Sequence, residues 1–142
     1  KRVVLFPPDQ SDLLYRLPFN VHSTVDIDKP DYKEYPALKY AKGLTGILEY
    51  GDTLFMPSGY WHHIEYVEGG YGLSVRSLPP QFSVKLKGFY NLTIQRKLDD
   101  MLRFTFGNKW FELKKSIAKK RAERAIKRMH KNNAHSGDLA FQ

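Results

Sequence analysis

Residues 51–66, GDTLFMPSGYWHHIEY, hold the side chains best suited to metal chemistry in this chain: adjacent His62 and His63, with Glu65 two positions further on. Neutral imidazole is a common metal ligand, and a histidine with a nearby carboxylate is part of the two-histidine, one-carboxylate iron site. Side chains alternate along a strand, so His62, Ile64 and Tyr66 share one face while Trp61, His63 and Glu65 share the other. Only one of the two histidines can then point into an enclosed interior. A single inward histidine is equally at home as a hydrogen-bonded core residue, so alternation alone leaves both roles open. His63-Ile64-Glu65 has the spacing of the first half of an iron triad, but the only histidines after it, His130 and His135, lie in a basic tail. That reading is therefore rejected. His22 sits in a proline-spaced loop and is expected to be structural or at the surface.

The elements that must position these residues read as a β region followed by helices. Val3-Val4-Leu5-Phe6 is a short apolar run rich in β-branched residues and stopped by Pro7-Pro8, the pattern of a buried strand. Residues 9–43 are irregular, with Pro18, Pro30 and Pro36 spread through them. Asp9-Gln10-Ser11 could cap a helical turn over 12–15, and DIDKPDYKEYPAL reads as an ordered surface loop. Short strands are predicted at 45–50, 53–56, 61–67 and 71–78, separated by Gly51-Asp52, Pro57-Ser58-Gly59 and Glu68-Gly69-Gly70, each with turn chemistry. This spacing points to a sandwich or barrel. Pro79-Pro80 closes the β region. Leu86, Tyr90, Ile94, Leu98, Met101, Leu102 and Phe106 then recur at three- and four-residue steps, one apolar face of a helix. Gly107-Asn108 breaks it. A second helix follows, with Trp110, Leu113, Ile117, Ala125, Ile126 and Met129 as a thinner apolar stripe, and residues 132–142 are expected to fray.

The 142 residues suffice for one domain with a moderate core, and a hydrophobic content of 42% is that of a globular chain. Cysteine is absent, which excludes disulfide scaffolds and thiolate zinc sites and fits a cytoplasmic protein. No apolar run approaches the ~20 residues of a membrane span, and no secretory signal is visible. Asn91-Leu92-Thr93 matches a glycosylation sequon by chance in that setting. The net charge of +8 is uneven: residues 114–142 hold nine Lys and Arg against Glu123 and Asp138, while residues 1–113 are close to neutral at +1. The high isoelectric point therefore belongs to the tail and not to the β region. RVVLF reads as core from the second residue onward, so the chain is expected to be a fragment or processed piece.

Gly51, Pro57, Gly59 and His62 are spaced as in the second signature of the cupin superfamily, with Tyr66 in place of its closing asparagine. Glycine opens the hairpin, Pro-x-Gly makes a rigid second turn, and a histidine is delivered to a barrel mouth on a strand, which holds a ligand better than a loop does. KRVVLFPPDQ, VHSTVDIDKPDY and YGDTLFMPSGYWHHIE, in that order, resemble the C-terminal half of the JmjC-related, cupin-like oxygenases. They are similar to the asparaginyl hydroxylase branch and to bacterial cupin-like domain proteins. The resemblance covers residues 1 to about 78 well and the helical end loosely.

The resemblance implies a mainly β protein: a partial double-stranded β-helix (cupin, or jelly-roll) barrel over residues 1–80, followed by two helices over 81–132 and a frayed tail over 133–142. It implies Fe(II) and 2-oxoglutarate as cofactor and cosubstrate. His62 matches the family's distal iron-binding histidine, and Lys1 matches the lysine that pairs with the far carboxylate of 2-oxoglutarate. Two imidazoles and a carboxylate leave three positions on iron, two for the keto acid and one for oxygen. The family's H-x-D/E would fall about 15 residues before Lys1, so this chain is expected to carry one of three iron ligands and not to turn over alone. Arg76 and Leu78 fall where the hydroxylase has asparagine and tryptophan near its cosubstrate. Arg76 is left as either a keto-acid contact or a surface strand residue. The expected function is that of the C-terminal portion of an Fe(II)- and 2-oxoglutarate-dependent hydroxylase of unknown substrate. The alternatives are a non-catalytic cupin-like binding or assembly module and a polyanion-binding basic helix.

The family also suggests a homodimer through the C-terminal helices, with simple packing against the barrel as the other reading. KKSIAKKRAERAIKRMHK is basic on most of its circumference. Such a helix is ordinarily a solvated face, and neither nucleic acid nor an anionic membrane is expected as its partner.

Overall fold

The computed structural model describes residues 1–77 and 82–138. Strand β1 (Arg2–Phe6) lies between β2 (Leu44–Ile47) and β3 (Trp61–Glu65), giving an antiparallel three-stranded sheet in the order β2-β1-β3. The central position explains the continuous apolar run: Val3, Val4 and Leu5 are buried, so both faces of β1 are covered. In the β1–β3 register Arg2 faces Glu65, Val3 faces Ile64, Val4 faces His63, Leu5 faces His62 and Phe6 faces Trp61. Gly43, at the entry to β2, runs so close to β1 that an added Cβ would lie 2.6 Å from the Phe6 ring and 2.8 Å from the Leu5 carbonyl oxygen.

Three of the predicted strands form, at shifted or shorter bounds. The predicted strands at 53–56 and 71–78 do not: residues 53–56 and 71–77 have no ladder partner, and Leu78 lies outside the described residues. The outer edges of β2 and β3 stay unpaired among the described residues, so β propensity alone does not dock these segments on the sheet. The described residues therefore form a small sheet and not a closed jelly-roll barrel. The turn expected over 12–15 is displaced to a 3-10 turn at Pro8–Asp12. Proline, with its φ preset and no amide hydrogen to satisfy, starts it there, without a side-chain cap.

The main hydrophobic cluster adjoins one end of the sheet, where Phe6 of β1 and Trp61 of β3 pack against it. Leu13, Leu14, Tyr15 and Leu17, with Ala37 and Leu38 from a 3-10 turn at Pro36–Tyr40, pack against Ala118 and Ala122 of the long C-terminal helix. The Tyr15 ring meets Tyr35 edge-on at 4.9 Å, and its hydroxyl accepts the Ala37 backbone N–H at 3.0 Å. Burial pushes the Tyr15 phenol up, only partly offset by that hydrogen bond.

The helical end consists of α1 (Phe82–Tyr90), a π turn (Asn91–Gln95), α2 (Arg96–Phe106) and α3 (Asn108–Asp138). The π turn widens what the apolar spacing presents as one helix, and the Thr93 hydroxyl donates to the Phe89 carbonyl beside it. Gly107 breaks the run as expected: it takes φ +53°, and its N–H caps α2 on the Arg103 carbonyl at 2.8 Å. Two expectations for the last helix need correction. It continues to Asp138 instead of fraying from 132; residues 139–142 lie outside the described part. Its stripe is met in part: Ala125, Ile126 and Met129 pack against the core as expected, but the most buried positions are Lys114, Ala118 and Ala122, and Leu113 stays half-exposed. Lys114 is compatible with burial because its ammonium meets both Asp99 oxygens at 2.8 Å, and Asp99 also accepts the Trp110 indole N–H at 2.8 Å.

Candidate metal and cosubstrate face

The two adjacent histidines are separated by the strand that carries them. Gly51 at φ +88° and Gly59 at φ +84° take the left-handed conformations that the two turns before β3 require. His62 then follows the parity of Leu5 and Val3, and His63 that of Val4 and Arg2.

On the His62 face the ladder runs one residue beyond β1. The Lys1 amino group donates to the Leu48 carbonyl at 2.9 Å and the Leu48 N–H returns to the Lys1 carbonyl at 2.8 Å. Lys1 therefore shares a face with Val3 and Leu5. Its side chain bears this out: Nζ lies 4.7 Å from the centre of the Tyr66 ring, a residue of His62 parity, and donates to the Tyr71 carbonyl at 2.9 Å. His62 and Lys1 thus stand at opposite ends of one stripe, four positions or ~13 Å apart along the strand, with Val3 and Ile64 between them. His62 itself is exposed. Arg76 is exposed on the irregular segment 71–77, so the strand setting expected for it does not form.

On the opposite face His63 is held by Asp28, Nε2 to Oδ2 at 2.8 Å. Asp28 also pairs with Arg2, whose Nε donates to Glu65 at 2.7 Å. Partial desolvation acts to raise the Asp28 carboxyl, but His63 and Arg2 outweigh it and hold it below the usual carboxylate range. In this network the two ends of His63-Ile64-Glu65 are engaged by Asp28 and Arg2. Sequence reasoning missed Asp28, although it stands in the block VHSTVDIDKPDY, because nothing local links it to a strand 35 residues away. His22, expected to be structural or superficial, is exposed and lines a cleft of about 210 Å³ with Phe6, Trp61, His62 and His63.

Fe(II) can be tested against these residues by donor chemistry. One exposed imidazole does not hold a divalent ion, and among the described residues no group of three His, Asp or Glu side chains is placed to hold one, although His22, His62 and His63 line one cleft. No helix among the described residues is long and apolar enough to cross a membrane.

Comparison with known proteins agrees with the geometry. The sequence model of the cupin-like domain matches residues 1–93. The HSPB1-associated protein 1 homolog of Danio rerio is 41% identical over 73 residues, covering 48% of this chain and 16% of that relative. The tRNA wybutosine-synthesizing protein 5 of Gallus gallus is 39% identical over 75 residues, covering 53% and 23%. The lysine-specific demethylase JMJ31 of Arabidopsis thaliana is 36% identical over 73 residues, covering 46% and 13%. The chain spans under a quarter of the length of each of these three relatives. With the family's sequence model matched over well more than half of its length, the chain belongs to the cupin-like, JmjC-related domain family.

Proposed function

We propose that the chain is the C-terminal portion of an Fe(II)- and 2-oxoglutarate-dependent hydroxylase. His62 serves as one iron ligand and Lys1 as the counter-charge for the far carboxylate of the keto acid. The observation that carries this reading is their placement on one face of β1 and β3. Iron, when bound, supplies oxygen activation, and the overall reaction oxidises a C–H bond while 2-oxoglutarate is converted to succinate and carbon dioxide. This chain's own contribution is positional. β3 fixes the depth of the imidazole, the Asp28–Arg2–Glu65 network anchors the strand from behind, and Tyr66 and the Tyr71 carbonyl hold the Lys1 ammonium until a carboxylate competes for it. Arg76, exposed on the segment 71–77, is a second cationic group that the sequence offers to the keto acid. Two of the relatives are named for tRNA wybutosine synthesis and for lysine demethylation, and only the reaction class is carried over to this chain.

The test is succinate release with the longer protein that contains this chain, in the presence of iron, 2-oxoglutarate and oxygen. Loss of a metal ligand in His62→Ala is expected to lower turnover at least ~100-fold, more than the loss of a residue that only supports a ligand. Lys1→Ala removes a charge-assisted hydrogen bond and is expected to raise the KM for 2-oxoglutarate about 10- to 100-fold. The 142-residue chain alone is expected to release none. Unchanged kinetics in both variants would end the assignment. A longer protein that binds neither iron nor 2-oxoglutarate would favour the second reading, a non-catalytic cupin-like scaffold, which draws on the lack of a converging ligand set among the described residues.

A further inference from the structure

The basic residues of α3 are sorted by the fold. The stripe that faces the core runs through Lys114, Ala118, Ala122, Ala125, Ile126 and Met129. At 100° per residue, the face directly opposite carries Lys120, Arg124, Lys127 and Lys131, with Arg128 beside them. All five are exposed, and none pairs with a carboxylate among the described residues. The flank with acidic neighbours is a different one: there Lys115 is engaged by Glu112 at 3.1 Å and Lys119 by Glu34 at 3.3 Å, and Glu123 lies between that flank and the outward stripe.

We propose that the outward face of α3 is a docking surface for the phosphate backbone of duplex nucleic acid. The steps of four, three and four residues from Lys120 to Lys131 keep the charges in a straight line ~16 Å long. Duplex nucleic acid carries a phosphate every ~3.4 Å of axis on each strand, and a straight line of cations meets that backbone where it crosses it. An anionic membrane fits less well. A helix that lies in a bilayer interface buries its apolar face in lipid, and here that face is already packed against Leu13, Leu14, Leu17 and Leu38. An acidic protein partner fits less well too, because protein interfaces are built around an uncharged, aromatic- or Met-rich centre, and none interrupts this line of cations.

The experiment is fluorescence anisotropy of labelled RNA and DNA duplexes of one sequence with the full 142-residue chain, across about 50 to 200 mM salt. Both duplexes are expected to bind in the range of ~10⁻⁴ to 10⁻⁶ M near physiological salt, with log affinity falling against log salt at a slope of about −4. Substituting K120Q, R124Q, K127Q and K131Q together is expected to flatten the slope by about one per residue and to weaken binding at low salt more than tenfold. Glutamine keeps the helical propensity of the residues it replaces, and circular dichroism of the variant reads whether α3 is retained. K115Q with K119Q, on the engaged flank, is expected to leave binding within about twofold, because those ammonium groups already have partners. The proposal is overturned by unchanged affinity in the well-folded fourfold variant, by no binding at low salt, or by polyglutamate or phosphatidylserine vesicles binding as tightly as the duplexes.

Discussion

At the scale of the residue, the His62-His63 pair is explained by strand alternation plus one distant carboxylate. His62 takes the Lys1 face, and His63 is spoken for by Asp28. That role has a pH signature. A carboxyl held below its unfolded value of ~3.9 stabilises the fold above that pH, and the stabilisation is lost as pH falls through the lower folded value. Asp28→Asn cannot titrate. Its melting temperature is therefore expected to lie below that of the parent chain near neutrality, with the gap closing as the solution is taken below about pH 4. A gap of constant size from pH 7 to pH 3 would mean that the charge on Asp28 contributes nothing and that the lost hydrogen-bond geometry is the whole effect.

At the scale of the element, what was legible in the sequence is what depends on local pattern. β1, the cores of β2 and β3, the glycines at positive φ and the break at Gly107 all follow from alternation, turn chemistry or a required backbone conformation. What was not legible depends on a partner remote in sequence. Residues 53–56 and 71–77 have strand composition but pair with no strand among the described residues. The start of the buried stripe of α3 was misplaced because hydropathy ranks Leu113 above Lys114, whereas α2 supplies Asp99 to neutralise the lysine and leaves the leucine half-exposed. Lys114 is 3% exposed and Asp99 8%, so this is a buried pair at the junction of two helices. Removing one partner strands the other charge, at a cost of about 3–5 kcal/mol. Lys114→Ala is expected to lose that much in urea unfolding, far more than Lys120→Ala on the outward face of the same helix. Equal losses at the two positions would show that Asp99 finds water or another cation, and that the α2–α3 junction does not depend on the pair.

At the scale of the whole molecule, the apolar surface is divided unevenly. α3 closes the core over residues 13–38, yet the α1–α2 run keeps its apolar face in solvent: Phe89 is 64% exposed, Ile94 52% and Met101 58%. A contiguous apolar face of this kind is larger than isolated surface hydrophobics and is characteristic of an interaction site. Among the described residues these side chains find no cover. The rest of a longer protein or a second copy of this chain would cover them; we propose the second copy, as the family resemblance suggests, burying the ~800 Å² per partner of a standard interface. Sedimentation equilibrium is then expected to give twice the 16.6 kDa chain mass, and Ile94→Glu with Met101→Glu is expected to return the single-chain mass by placing like charges in the contact. The two glutamates are exposed in the monomer, so the variant should keep its helical circular dichroism. Retention of the double mass by that variant would move the interface to the open side of the sheet, where Leu44 and Ile47 are exposed. A parent chain that sediments at its single mass would leave the α1–α2 face without a second copy as its partner.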